Sequence, residues 1–426
     1  LSFNLFGQLG TGNFNIQLGG DIDGSAQADF FGYSVSLSDD GSILAVGTPY
    51  NDDNGAYSGQ TRIYKLSQFG DWVQMGNDIN GAPPTYLPGV SGAVYDYSGF
   101  SVNLSGDGLT VAIGAPGYSN IGRVLIYRLS NGTWSASGLL LGSSSNQGYK
   151  GRFGESVSLS FDGKTIAVGS PKYDANGANS GIAQVFSNSS GSNWTQKGTS
   201  IIGENAGDEF GTDVSLSSDG NILASGAPKN DNSNGSTSGH VRVYEFLSTG
   251  WSQMGLDIDG ESAGDNSGKS ISLSDNGSII AIGAPYNDGN GNNTNAGHVR
   301  VYEFLSTGWS QLDSDIDGEG SNDASGEAIS LSNNGKLLAI GSRWNSGGGK
   351  INCGHTRVYE FSNSSWNQLG SDIDGEAASD LSGSSISLSG SGNLLAIGAP
   401  QNANSSGSYA GHTRLFSNFI PTYSNG

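Results

Sequence analysis

Fifteen letters, GHVRVYEFLSTGWSQ, occupy residues 239–253 and return unchanged at residues 297–311, an offset of 58. A chain that repeats itself at a period of this size stacks one supersecondary unit many times, because a single unit cannot bury its own apolar face. Sliding the repeat along the chain finds seven copies of one anchor, among them FGYSVSLSDDGSILAVGTP from Phe31, FGESVSLSFDGKTIAVGSP from Phe153 and FGTDVSLSSDGNILASGAP from Phe210. The shared glycines are Gly32, Gly99, Gly154, Gly211, Gly268, Gly326 and Gly383, spaced by 67, 55, 57, 57, 58 and 57 residues.

Within each unit, S-V-S-L-S alternates small polar and apolar residues, which predicts a strand (A) with one packed face. The x-D-G or x-N-G that follows is a tight hairpin turn. I-L-A-V-G and its relatives make an apolar strand B, whose Ala and Gly let neighbouring sheets approach closely. Strand C reads GHVRVYEF, and strand D is headed by Trp in W-x-Q-L-G at Trp72, Trp134, Trp194, Trp251, Trp309 and Trp366. Four antiparallel strands repeated seven times predict an all-β, seven-bladed β-propeller. The last unit stops at GHTRLF, and NIQLGGDIDG (residues 15–24) matches the missing strand D, so the N-terminal strand is expected to complete the last blade and close the ring. Residues 1–14 are set apart as an N-terminal extension, and 15–426 form the single propeller domain.

Seventy glycines and 35% apolar residues suit many short strands and turns, not long helices. The chain shows no run of about eighteen apolar residues and no charged-then-apolar leader, the patterns of a membrane span and a signal peptide. With 39 acidic against 18 basic side chains the net charge is −21, which repels nucleic acid and anionic lipid. The single cysteine, Cys353, rules out an internal disulfide or a zinc knuckle of thiolates.

The period and the F-G…G-A-P anchors resemble FG-GAP repeats, the units of the integrin alpha-chain propeller and of many secreted microbial proteins. The resemblance covers nearly the whole chain. It implies the propeller fold and, for function, adhesion or recognition of proteins and glycans at cell surfaces. The family's calcium loop, D-x-D-x-D-G-x-x-D between strands A and B, is absent, because SLSDDGSILAVG leaves room only for a turn; calcium is therefore not carried over.

Strand direction puts the B-to-C loops and the D-to-A links on one face, called here the loop face. Its density of carboxylates and amides makes Asp52, Asp53, Asp257 and Asp259 candidate ligands for a hard cation such as calcium, against the plainer reading that Asn, Asp and Gly make turns. Of nine Asn-x-Ser/Thr triplets, Asn131, Asn193, Asn234 and Asn292 are candidate glycosylation sites in a secreted chain. The four histidines, His240, His298, His355 and His412, share one strand C position and read as repeat architecture.

A repeat protein binds where a unit departs from its siblings, and blade 2 departs most. Its preceding link, DINGAPPTYLPGVSGAVYDYSG, is ten residues longer than its counterparts and brings Tyr86, Tyr95 and Tyr97, the candidate ligand-binding residues. A charge pattern also recurs. Asp29, Asp96, Asp208, Asp265, Asp323 and Asp380 stand three residues before their anchor glycines, where blade 3 has Gly151. Strand C carries Arg62, Arg242, Arg300, Arg357 and Arg414, where blade 3 has Gln184 and blade 2 a displaced Arg123. The shared loss in blade 3 predicts structural Asp–Arg pairs, the alternative being a turn-capping Asp and a solvated Arg.

These readings converge on an extracellular or cell-surface, non-catalytic binding or adhesion module that needs no cofactor and recognises protein or glycan. The alternatives are a structural subunit of a filament or surface layer that binds copies of itself and, more weakly, an enzyme acting at the loop face. Neither nucleic acid nor membrane insertion is expected.

Overall fold

The computed structural model describes residues 13–418 apart from 15, 88–90, 144–150, 189–192, 249, 290–293 and 307. Seven antiparallel sheets stand around one axis, each in the order A-B-C-D from the centre outward. Blade 5 is representative, with A at Ser270–Leu273, B at Ile279–Ala284, C at His298–Leu305 and D at Gly308–Gln311. Strand D is broken in two in most blades. In blade 5 a second piece, Ile316–Asp317, also pairs with strand C, so the first residues of the expected link belong to the sheet. Blade 2 keeps D whole as Thr133–Leu141, with a bulge opposite Ile126 and Tyr127. Ile16–Gln17 pairs with His412–Ser417, placing Ile16 opposite Ser417 and Gln17 opposite Phe416, and Ile22–Asp23 pairs further along the same strand. Among the described residues no helix is long and apolar enough to cross a membrane.

The core lies between blades. Between blades 4 and 5, for example, Val241, Val243 and Ile258 pack on Ile271, Ile280 and Ile282. The anchor glycines explain how the blades come so close. All seven have φ between 84° and 88°, in the left-handed region that glycine enters without strain. The strand B glycine beneath each is equally constrained: a Cβ on Gly283 would stand 2.1 Å from the carbonyl oxygen of Gly326 in the next blade.

Two rings of hydrogen bonds run around the axis. The middle polar residue of each strand A accepts from a leucine N–H of the next blade, as in Leu104 to Ser36, Leu159 to Asn103 and Leu37 to Ser387, completing a circle of seven. The A-to-B turns make a second circle, from main chain to main chain: Asp39 N–H to Gly106, Asp107 to Phe161, Phe161 to Ser218, Ser218 to Asp275, Asp275 to Asn333, Asn333 to Gly390 and Gly390 back to Asp39. That second circle ties the turn-face ends of the seven blades together. A cavity of about 480 Å³ remains, lined by Tyr33, Phe100, Glu155, Asp213, Lys269 and Glu327 among others. Tyr33 and Phe100 each follow an anchor glycine at the loop-face end of a strand A, so the cavity opens on that face.

Candidate ligand-binding site

The site begins with a backbone property of the repeat. In every unit two residues adopt left-handed φ, one placed two positions before the anchor glycine and one placed two positions before the glycine that opens strand C. Siblings fill the slot before strand C mostly with asparagine, as at Asn120, Asn179, Asn295 and Asn352, the non-glycine residue that enters this region most readily, and the slot before the anchor with Arg152, Glu209, Asn266, Ala324 and Leu381. Around the junction of blades 7, 1 and 2 the slots hold bulky rings instead: Phe30 at φ 58°, Tyr57 at 48°, Tyr97 at 56° and Tyr409 at 57°. A bulky residue held there costs on the order of 1 kcal/mol or more, a strain that clusters at functional sites.

These four rings touch one another through a continuous aromatic basin. Phe30 stacks on Tyr409 at 5.8 Å and meets Tyr50 at 5.0 Å. Tyr50 is the hub, with Tyr57 at 5.9 Å, Tyr97 at 5.7 Å and Tyr33 at 6.0 Å, and Tyr33 continues to Phe100 at 5.1 Å. Tyr95 closes against Tyr57 at 5.1 Å and Tyr97 at 5.9 Å. Beside the basin lies a cleft of about 550 Å³ walled by Tyr50, Tyr97, Phe100, Pro116, Arg152 and Lys172. Its cations are partnered, Arg152 with Glu155 and Lys172 with Glu209, and Arg152 also lies over the Phe100 ring at 5.2 Å. Burial pushes the Tyr97 hydroxyl above the usual phenol range, so it stays a neutral donor at physiological pH.

Of the three tyrosines singled out in blade 2, Tyr95 and Tyr97 belong to this basin. Tyr86 is 81% exposed and makes no ring contact among the described residues. The inserted link forms a small hairpin in which Thr85 and Val94 exchange both main-chain hydrogen bonds, carrying Tyr86 away from the other two. Phe30, Tyr33, Tyr50, Tyr57, Phe100 and Tyr409 were missed by sequence reasoning. Phe30, Tyr57 and Tyr409 carried a signal, an aromatic two positions before a repeat glycine where the units outside this group have no ring, whereas Tyr33, Tyr50 and Phe100 do not stand at such positions.

The expected Asp–Arg pairs are not what recurs. Asp29, Asp208, Asp265, Asp323 and Asp380 each accept from an asparagine 22 residues later, Asn51, Asn230, Asn287, Asn345 and Asn402, at 2.9–3.1 Å. Four of them also cap their own turn, as when Asp265 accepts the Ser262 N–H at 2.9 Å. Burial raises the Asp265 carboxyl above its ordinary range, while the Asn287 bond pulls it back. Arg242, Arg300, Arg357 and Arg414 are buried rather than solvated, and donate to main-chain carbonyls of the preceding link at Ile202, Asp259, Asp317 and Asp374. Arg62 meets Asp78 at 3.3 Å and donates to Ser25. A direct Asp–Arg bridge does form in blade 2, where Arg123 grips both oxygens of Asp96 at 3.1 and 2.5 Å. In blade 3 Gly151 replaces the acid and Tyr173 the asparagine, and a Cβ on Gly151 would lie 3.2 Å from that ring.

Three candidate cation ligands are occupied by their own loops: Asp52 accepts the Tyr57 N–H, Asp53 the Gln60 amide and Asp259 the Asn232 amide. Asp257 lies apart from them, beside His240 and Glu204. Asn131 and Asn193 are exposed, Asn234 is exposed but donates its amide to the Gly260 carbonyl, and Asn292 lies outside the described residues, as do residues 1–12 of the N-terminal extension. Cys353 is buried, with its thiol 3.5 Å from the Gly347 carbonyl oxygen.

Residues 22–64 and 203–244 match the model of the FG-GAP repeat family. No curated protein matches the chain. Among solved structures, similar folds include a putative 6-phosphogluconolactonase from Bacteroides uniformis, at 14% identity and TM-score 0.54 over 81% of this chain and 85% of that one. The periplasmic gluconolactonase of Pseudomonas aeruginosa is similar at 15% identity and TM-score 0.53, with the same coverages. A chain of a mitotic checkpoint complex is similar at 14% identity and TM-score 0.56 over 98% of each chain. At these identities the likeness is one of fold.

Proposed function

We propose that this seven-bladed propeller of FG-GAP repeats is a non-catalytic recognition module of the cell surface or extracellular space, and that it binds a glycan in the aromatic basin of blades 7, 1 and 2. The observation that carries the reading is the placement of Phe30, Tyr57, Tyr97 and Tyr409 in left-handed slots that hold no aromatic ring in any other copy of the repeat. Packing alone does not ask for bulky rings at strained positions, whereas a ligand that stacks on them does. Sugars present apolar C–H faces to aromatic rings and hydroxyls to phenolic oxygens, and both kinds of partner converge here. The partnered state of Arg152 and Lys172 favours a neutral ligand over an anionic one.

The test is to screen the full chain against immobilised glycans and repeat the screen with Tyr57→Asn, Tyr97→Asn and Tyr86→Ala. Asparagine stands in the Tyr57 slot in four blades and in the Tyr97 slot of blade 5 as Asn266, and it enters left-handed φ readily, so both Asn variants should melt within about 5 °C of the parent. They should lose at least tenfold in affinity, roughly 1.4 kcal/mol, while Tyr86→Ala binds as before. A screen that retains no glycan, or retained glycans indifferent to both Asn substitutions, would refute the assignment.

A further inference from the structure

The strand C histidines are arranged with acids in a way that the aromatic basin does not use. In blades 4 to 7, three side chains bring potential ligand atoms within 4.8 Å of one another: Glu204, His240 and Asp257; Glu261, His298 and Asp315; Glu319, His355 and Asp372; Glu376, His412 and Asp21. The glutamate comes from the link before the blade and the aspartate from the segment after strand D, so each trio spans two successive links. The fourth trio is completed by Asp21, beside the N-terminal strand that pairs with blade 7.

Each histidine side chain is only 1–2% exposed, and its Nε2 has no hydrogen-bond partner. Its Nδ1 points at the aspartate, 3.6–3.8 Å from Oδ2 and beyond hydrogen-bonding distance. In blades 6 and 7 the same nitrogen also faces glutamate Oε2, at 3.9 and 3.8 Å. A buried imidazole whose Nδ1 faces two carboxylates without bonding either leaves a gap that a cation at about 2.0–2.2 Å from each ligand would fill, with Nε2 on the far side of the ring.

Neighbouring groups hold the acids in place. The glutamine of W-x-Q-L-G donates to the other aspartate oxygen: Gln253 to Asp257, Gln311 to Asp315, Gln368 to Asp372 and Gln17 to Asp21, at 2.6–2.8 Å. Arg242, Arg300, Arg357 and Arg414 lie 3.4–3.8 Å from glutamate Oε1. Such outer partners orient metal ligands. The acids reach solvent, with glutamate side chains 44–46% exposed, so an ion has a way in.

The repeat supplies an internal comparison. Glutamate and histidine occur together in four blades and are missing together in three, where the corresponding pairs are Ser25 and Gln60, Ala82 and Arg123, and Ser143 and Ile182. The strand C arginine does not follow this rule, since Arg62 is present in blade 1 without the glutamate. The histidine is thus matched to the glutamate it faces across the gap.

We propose that blades 4 to 7 carry four copies of a divalent transition-metal site, each made of Glu, His and Asp, in which the ion ties successive blade links together along the loop-face rim. One imidazole and two carboxylates suit zinc and its neighbours better than calcium, which takes oxygen ligands.

The test is calorimetric titration of the chelator-treated full chain with zinc ion alone, read with its melting temperature. Four equivalents are expected, together with a rise in melting temperature. His298→Gln, which places there the residue blade 1 carries as Gln60, should fold and bind three. Changing all four glutamates to Gln should abolish the set. In blade 1, Asp78 already stands oriented by Gln74, so Ser25→Glu with Gln60→His should raise the count to five. Absence of zinc binding, or a stoichiometry that neither His298→Gln nor the blade 1 double substitution moves, would overturn the proposal.

Discussion

Single residues in this chain are best understood against their six siblings. Asp213 stands where most blades have a serine that donates to the anchor glycine carbonyl of the next blade, as Ser270 does to Gly326. Its carboxylate instead accepts the Val214 and Ile271 N–H groups, and burial pushes it up to about 7, only partly offset by those two bonds. A folded-state value above the unfolded one means the native state holds the proton longer. Stability conferred by the protonated form is complete below about pH 4 and declines as pH rises toward 7, then levels off. Asp213→Ser should remove that decline and stabilise the protein at pH 8, at about 1.4 kcal/mol per unit of displaced titration. Denaturant midpoints of both proteins at pH 4.5 and 8 measure it; curves that stay parallel would show that Asp213 is not the titrating group.

At the scale of elements, the blade is held by contacts that bridge a link and a loop. In five blades the Asp–Asn clamp fastens the end of the D-to-A link to the beginning of the B-to-C loop, 22 residues onward. Asn287→Ala would leave the buried Asp265 oxygen without its amide donor, and the expected loss is about 1–3 kcal/mol in a denaturant titration. A loss under about 0.5 kcal/mol would assign the clamp no energetic weight. The sequence contains this clamp openly, as an Asp and an Asn at constant spacing in five blades; where Tyr118 and Tyr173 replace the Asn, blade 2 keeps its Asp96 for Arg123 and blade 3 has Gly151. Looking for opposite charge concealed it, because a buried carboxylate is satisfied as well by an amide and a main-chain N–H as by a guanidinium.

For the whole molecule, closure decides stability. The two circles of hydrogen bonds around the axis contain residues from all seven blades, so a break between any two neighbours opens both. Residues 16–18 join the ends: Gln17 pairs with Phe416, and Leu18 is buried, donating its N–H to Leu415 at 2.8 Å. Deleting residues 1–19 should therefore expose the outer edge of the last strand and cause aggregation or loss of a single cooperative transition. Size-exclusion chromatography and scanning calorimetry would show it; a variant that elutes and unfolds as the parent does would contradict this account of closure.

Seven units, their strand order, the close approach of glycine-bearing strands and the candidate completing strand were all legible in the letters, because period, alternation and small residues express local geometry directly. The placement of Tyr97 beside Tyr50, and of Tyr409 beside Phe30, was not, since it depends on which units the ring makes neighbours. The same holds for His412 and Asp21, which lie 391 positions apart in the chain and 3.8 Å apart in space. A repeat determines the unit through short-range forces. Only closing the ring brings the first unit against the last, and which side chains then share a gap is set by packing across blades.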